Sequence, residues 1–108
     1  MPPRRPSVAR HERPAIDEAA LVTACHADRL LAATRELGDA RWTAFLAPLP
    51  DRLRDAPLDE LPAVARRCRA AFGPKDSIRE VAPPDLTELF LDSVDRLLRA
   101  LARREVGG

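Results

Sequence analysis

Eleven prolines punctuate this chain, and their positions decide what it can fold into. Proline has no backbone N–H to donate and restricts the residue before it. It therefore suits the first turn of a helix and ends a helix elsewhere. Pro14 and Pro62 stand where helices can begin, whereas Pro48, Pro50, Gly73-Pro74 and Pro83-Pro84 read as stops. Between these marks the chain is built from 19 Ala and 15 Leu, with only 12 Val, Ile and Thr together and no Tyr, Asn or Gln. That mixture favours helix over sheet. The expected fold is all-α: a compact antiparallel bundle of four main helices with one or two short extra helical turns. It would occupy residues 15–106 as a single helical domain behind a disordered, basic, Pro-rich arm at residues 1–14.

The first helix is expected over about Ala15–Leu37, with Asp17 and Glu18 complementing its dipole at the start. Ile16, Ala20, Ala24, Ala27, Leu31 and Thr34 recur at steps of three and four and form its buried stripe, widened by Leu30 and Leu37. Gly38 suits a left-handed cap, and Asp39 can cap the next helix, in which Trp42, Phe45, Leu46 and Leu49 read as core. A short helix is expected over Asp51–Asp55. The third main helix should run from Asp59, its N-cap, to Phe72, with Leu61, Val64, Ala65, Cys68, Ala71 and Phe72 inward and Arg66, Arg67 and Arg69 outward. In the connector, Ser77-x-x-Glu80 has capping-box spacing, and Ile78 and Val81 are expected to plug the core. The last helix should be capped at Asp85 and bury Leu86, Leu89, Phe90, Val94, Leu97, Leu98 and Leu101. Acid-first pairs Asp92–Arg96 and Asp95–Arg99 should lie on its outer side.

Charge is unevenly placed. Residues 1–14 hold Arg4, Arg5, Arg10 and Arg13 against Glu12, a net +3, so a total of +1 leaves the helical body at −2. A nucleic-acid-binding domain displaces counterions with a basic face and shows a higher isoelectric point than the 7.9 here. No membrane span is expected, because charges and prolines interrupt every apolar stretch. No leader is readable, since Arg4, Arg5, Arg10 and His11 fall where an apolar segment would be needed. Two cysteines make no disulfide framework, which points to a reducing, cytoplasmic setting.

The residues offer little chemistry. Cys25 and His26 are adjacent on a helix and therefore diverge, so they make no nucleophile–base pair. The bland reading makes Cys25 and Cys68 small core residues and His26 a boundary residue. Close C-x-x-C or H-x-x-x-H spacing, an E-x-x-H motif, a Gly-rich phosphate loop and a G-x-S-x-G elbow are all missing. The expectation is a non-enzyme with no cofactor and no metal. One basic cluster stands out: Arg66, Arg67 and Arg69, with Lys75 and Arg79 beyond the Gly73-Pro74 stop, near Asp59, Glu60, Asp76 and Glu80 that can neutralise it.

The order Gly38-Asp39-x-Arg41-Trp42-x-x-Phe45-Leu46, then Ala71-Phe72-Gly73, then Asp76-Ser77-Ile78-Arg79-Glu80, resembles a domain family of unknown function in small bacterial helical proteins, over about residues 20–103. Pro74 departs from it, standing where a second small residue is expected. The resemblance implies a small soluble helical domain in a bacterial cytosol and treats the Phe72–Glu80 connector as a shared feature. It brings no catalytic residues.

The expected function is a protein-interaction module, regulatory, adaptor or immunity-like, acting through a mixed-charge surface. Arg66, Arg67, Arg69, Lys75 and Arg79 are the candidate partner-binding residues, and the partner is another protein or a second copy. Arginine suits such a surface because its planar fork binds carboxylates in two places. The alternative is a nucleic-acid-associated regulator using the arm and the Arg66–Arg79 cluster.

Overall fold

The computed structural model of the chain describes residues 9–106. Five α-helices follow one another: α1 (Pro14–Glu36), α2 (Ala40–Leu46), α3 (Leu49–Asp55), α4 (Leu61–Arg69) and α5 (Pro84–Val106). Single 3-10 turns stand at Arg10–Glu12, Ala70–Phe72 and Ile78–Glu80. Among the described residues there is no strand, and the all-α bundle expected from composition is the observed architecture.

α1 and α5, 23 residues each, form the spine. They run antiparallel: Ala15 and Ile16 lie beside Ala100 and Arg103, and Val22 beside Ser93 and Arg96. The small residues of α1 explain the close fit. Ala20, Ala24 and Ala27 are wholly buried with Leu30, and Phe90, Val94 and Leu97 of α5 are equally sealed. Each fully buried Leu or Phe adds roughly 1.5–3 kcal/mol. The hydroxyls caught in these helices turn back to their own backbone. Thr23 donates to the Ala19 carbonyl at 2.7 Å and Ser93 to that of Phe90 at 2.7 Å, so neither buried hydroxyl lacks a partner.

The end of α1 is a Schellman turn. Gly38 sits at φ 69°, its N–H meets the Arg35 carbonyl at 3.1 Å, and the Asp39 N–H meets that of Thr34 at 3.0 Å. Leu37, expected on the buried stripe, is instead 57% exposed, because the chain reverses there beyond the last core layer. The Asp39 carboxylate then accepts from the Trp42 N–H at 2.9 Å, as its capping role requires.

Elsewhere the prolines act differently from expectation. Pro50 lies in the first turn of α3, which starts at Leu49, two residues earlier than Asp51. α2 ends because neither Pro48 nor Pro50 has an N–H to continue the ladder. α4 begins at Leu61 without a side-chain cap. Asp59 is not used, since the Pro57 carbonyl already takes the N–H groups of Glu60 and Leu61 at 2.9 and 3.1 Å. α4 then tightens into the 3-10 turn that ends at Phe72, and Gly73 is extended (φ −71°, ψ 169°) as a residue before proline must be. α5 starts at Pro84 itself, which places Asp85 inside its first turn rather than at the cap.

Three further expectations are corrected. Ile78 is fully buried but Val81 is 38% exposed, because one 3-10 turn presents only one side chain inward. Leu89 is 46% exposed, since it lies more than a quarter-turn off the centre of the face formed by Phe90, Val94 and Leu97. Asp95 pairs with Arg69 of α4 at 3.3 Å, not with Arg99, because its side of α5 faces α4.

Residues 9–13, assigned by sequence to a disordered arm, include a 3-10 turn that Arg10 ties to the helices, while His11, Glu12 and Arg13 are exposed. Arg10 donates from Nη1 to the carbonyls of Arg54 and Ala56 at 2.7 and 3.1 Å, while its Nε and Nη2 both stand 2.9 Å from one oxygen of Asp17. One guanidinium thus joins the entry of α1 to the end of α3. The rest of the expected arm, residues 1–8, lies outside the described residues.

Candidate functional site

The five cations singled out by sequence do not act as one patch. Arg69 is committed to α5 through Asp95 at 3.3 Å. Arg79 is committed more firmly: its Nε and Nη2 reach both oxygens of Glu88 at 2.9 and 3.0 Å, and its guanidinium lies 5.5 Å from the Phe72 ring. That two-pronged bond to Glu88 raises the Arg79 pKa above its ordinary value. Arg66 is exposed on α4 and lines none of the surface grooves described here. Arg67 and Lys75 remain, and the fold brings them together.

They meet in an open groove of about 440 Å³ between α2, the end of α4 and the connector. Its walls are Arg41, Trp42, Ala44 and Phe45 on one side and Arg67, Ala70, Lys75 and Asp76 on the other. Helical spacing builds both walls. Arg41, Ala44 and Phe45 lie three and four apart on one side of α2, and Arg67 and Ala70 lie three apart on the other wall. The volume is that of a small ligand site, but the opening is broad.

The groove has a defined chemistry. Trp42 and Phe45 meet edge to face, with ring centroids 5.3 Å apart and planes at 71°. The Arg67 guanidinium lies 4.3 Å from the Phe45 centroid, and that of Arg41 lies 5.3 Å from Trp42. Arg41 also faces Asp76 at 3.9 Å, across the groove. Among the described residues no carboxylate pairs with Arg67 or Lys75. Three cations against one acid, beside two aromatic edges, make a surface that attracts negative charge and offers apolar area with it.

Sequence reasoning made Arg67 and Lys75 candidate partner-binding residues but gave Arg41 no such role, placed Asp76 only among the acids that can neutralise the cluster, and read Trp42 and Phe45 purely as core. Trp42 is indeed buried, yet Phe45 is only half-buried and both border the groove.

The remaining reactive groups stand apart. Cys68 is wholly buried as expected, and burial pushes its thiol up to about 12. Cys25, expected in the core, is exposed because it lies off the Ala20–Ala24–Ala27 seam of α1. His26 is half-buried at the boundary. Among the described residues no group of three or more His, Cys, Asp or Glu side chains could hold a metal ion, and no helix is long and apolar enough to cross a membrane. Comparison with models of protein families, with curated proteins and with solved structures finds no match to this chain.

Proposed function

We propose that this chain is a small cytoplasmic interaction protein of a bacterial cell, which binds rather than transforms its partner and holds an acidic segment of another protein in the groove between α2 and α4. One observation carries the reading. Arg67 and Lys75 stand free of carboxylates beside Trp42 and Phe45, while Arg69 and Arg79, the other cations of the cluster with a described partner, are spent on α5. Cations that only decorate a surface are usually paired or fully solvated. Here the Arg67 guanidinium rests over an aromatic ring, 4.3 Å from the Phe45 centroid, with no acid among the described residues to pair it. Trp and Arg are also the residue types that dominate binding energy at protein interfaces.

The only tryptophan of the chain borders this groove, so binding has a built-in optical signal. The test titrates the full chain with a peptide of alternating Glu and Phe, and separately with a single-stranded oligothymidylate, while following Trp42 emission. The expected result is saturable binding of the peptide, weakened about tenfold or more by Arg67→Glu and again by Lys75→Glu. A peptide affinity unmoved by both reversals overturns the reading. So does binding of the oligonucleotide alone with a steep salt dependence, which would assign the groove to nucleic acid instead.

A further inference from the structure

Asp76 is the one acid in the groove, and two features of its placement are unusual. Its backbone is left-handed, at φ 55°, a conformation that Asp tolerates better than most residues but seldom adopts. Its carboxylate crosses from the connector to the opposite wall, where it stands 3.9 Å from Arg41 with both side chains about two-thirds exposed. Among the described residues Arg41 is its only ion-pair partner, and Asp76 neither caps a helix nor accepts a side-chain hydrogen bond. A solvated pair at that distance contributes next to nothing to folding. It does, however, occupy the cation nearest Trp42.

On the reading that the groove takes an acidic segment, we infer that Asp76 is the groove's internal occupant: its carboxylate holds Arg41 in the position that a carboxylate of the partner takes on binding. The two acids compete for one guanidinium. An incoming segment gains Arg41 only as Asp76 lets go, and its apparent affinity falls by the fraction of time that Arg41 is already engaged. The weak geometry of the pair suits this role, since a tight bidentate contact such as Arg79–Glu88 would shut the groove. Such a device also selects. A ligand with no carboxylate gains nothing by displacing Asp76, so the contact favours acidic segments over merely apolar ones.

The experiment uses the full chain, the fluorescein-labelled Glu/Phe peptide and anisotropy. Asp76→Asn removes the competing charge, and Asn is equally at home at φ 55°. Asp59→Asn, an exposed acid at the other end of α4, controls for the change in net charge. Asp76→Asn is expected to tighten binding by up to about fivefold, the span of an exposed ion pair, and Asp59→Asn by less than about twofold. In an Arg41→Gln background the gain from Asp76→Asn should vanish. If Arg67→Glu abolishes binding but Asp76→Asn matches Asp59→Asn or weakens binding, the competitor role falls while the groove stands. A gain that persists without Arg41 also overturns it. Absence of binding by both the parent and the Asp76→Asn chain overturns the groove and the competitor together.

Discussion

Cys68 is sealed on the inner side of α4, and its thiolate would have to form out of water, a cost that one backbone hydrogen bond offsets only in part. Its folded pKa of about 12 lies above the ordinary value of 9.0, so the protonated thiol is the form the fold favours. That preference is fully present below about pH 9 and is lost as pH rises towards about 12. Urea denaturation should therefore show the parent losing more stability than Cys68→Ala between about pH 8 and about pH 11; parallel losses would exclude the thiol as a cause. Cys25, in contrast, is open to solvent. Residue type put both cysteines in the core, because free Cys is among the most buried residue types. Position on the helix could have separated them: the seam of α1 passes through Ala24 and Ala27, and Cys25 stands about a quarter-turn off it.

At the scale of the element, α5 offers a direct check on which face is inward. Leu97 is completely buried and Leu89 is 46% exposed, although both belong to the same apolar run. Leu97→Asp puts an unpaired charge into the core and should cost about 4 kcal/mol or more, leaving the chain unfolded or molten. Leu89→Asp should stay within about 1 kcal/mol of the parent. Chemical denaturation of the two variants decides the matter, and equal losses would mean that the face is wrongly placed. α1 and α5 were legible because an apolar period sustained over many turns outvotes any single residue. The short helices were less so. Whether Pro50 stops α2 or starts α3, and whether Asp59 or the Pro57 carbonyl serves the N–H groups at the entry to α4, depends on backbone hydrogen bonds that no residue pattern declares.

Over the whole molecule, contacts between distant segments set both stability and site. Arg10, whose side chain is only 12% exposed, satisfies two carbonyls at the end of α3 and one carboxylate of α1. Arg54 returns the favour from α3 by pairing with Asp28 of α1, and that hydrogen bond raises the Arg54 pKa. Arg10→Ala should destabilise the chain by about 1–3 kcal/mol, since it strands three acceptors at once, and thermal denaturation should show it. Arg10→Lys should recover little, because one ammonium cannot span the same three points. The same logic explains the groove. Arg67 and Lys75 were visible as part of a basic cluster near one break in the chain, but Arg41, Trp42 and Phe45 join them only because α2 and the end of α4 face one groove. Nothing in the local pattern fixes that docking. It follows from how α1 gathers its neighbours.

The pairing of α1 with α5 bears on how the chain is made. Synthesis delivers α1 well before α5, its principal cover. Until α5 has left the ribosome, α1 has α2, α3 and the Arg10–Glu12 turn to lean on, and the Ala20–Ala24–Ala27 seam lacks its largest partner. The core therefore closes after translation of α5 rather than piece by piece, and an incomplete chain presents its apolar seam to chaperones and proteases.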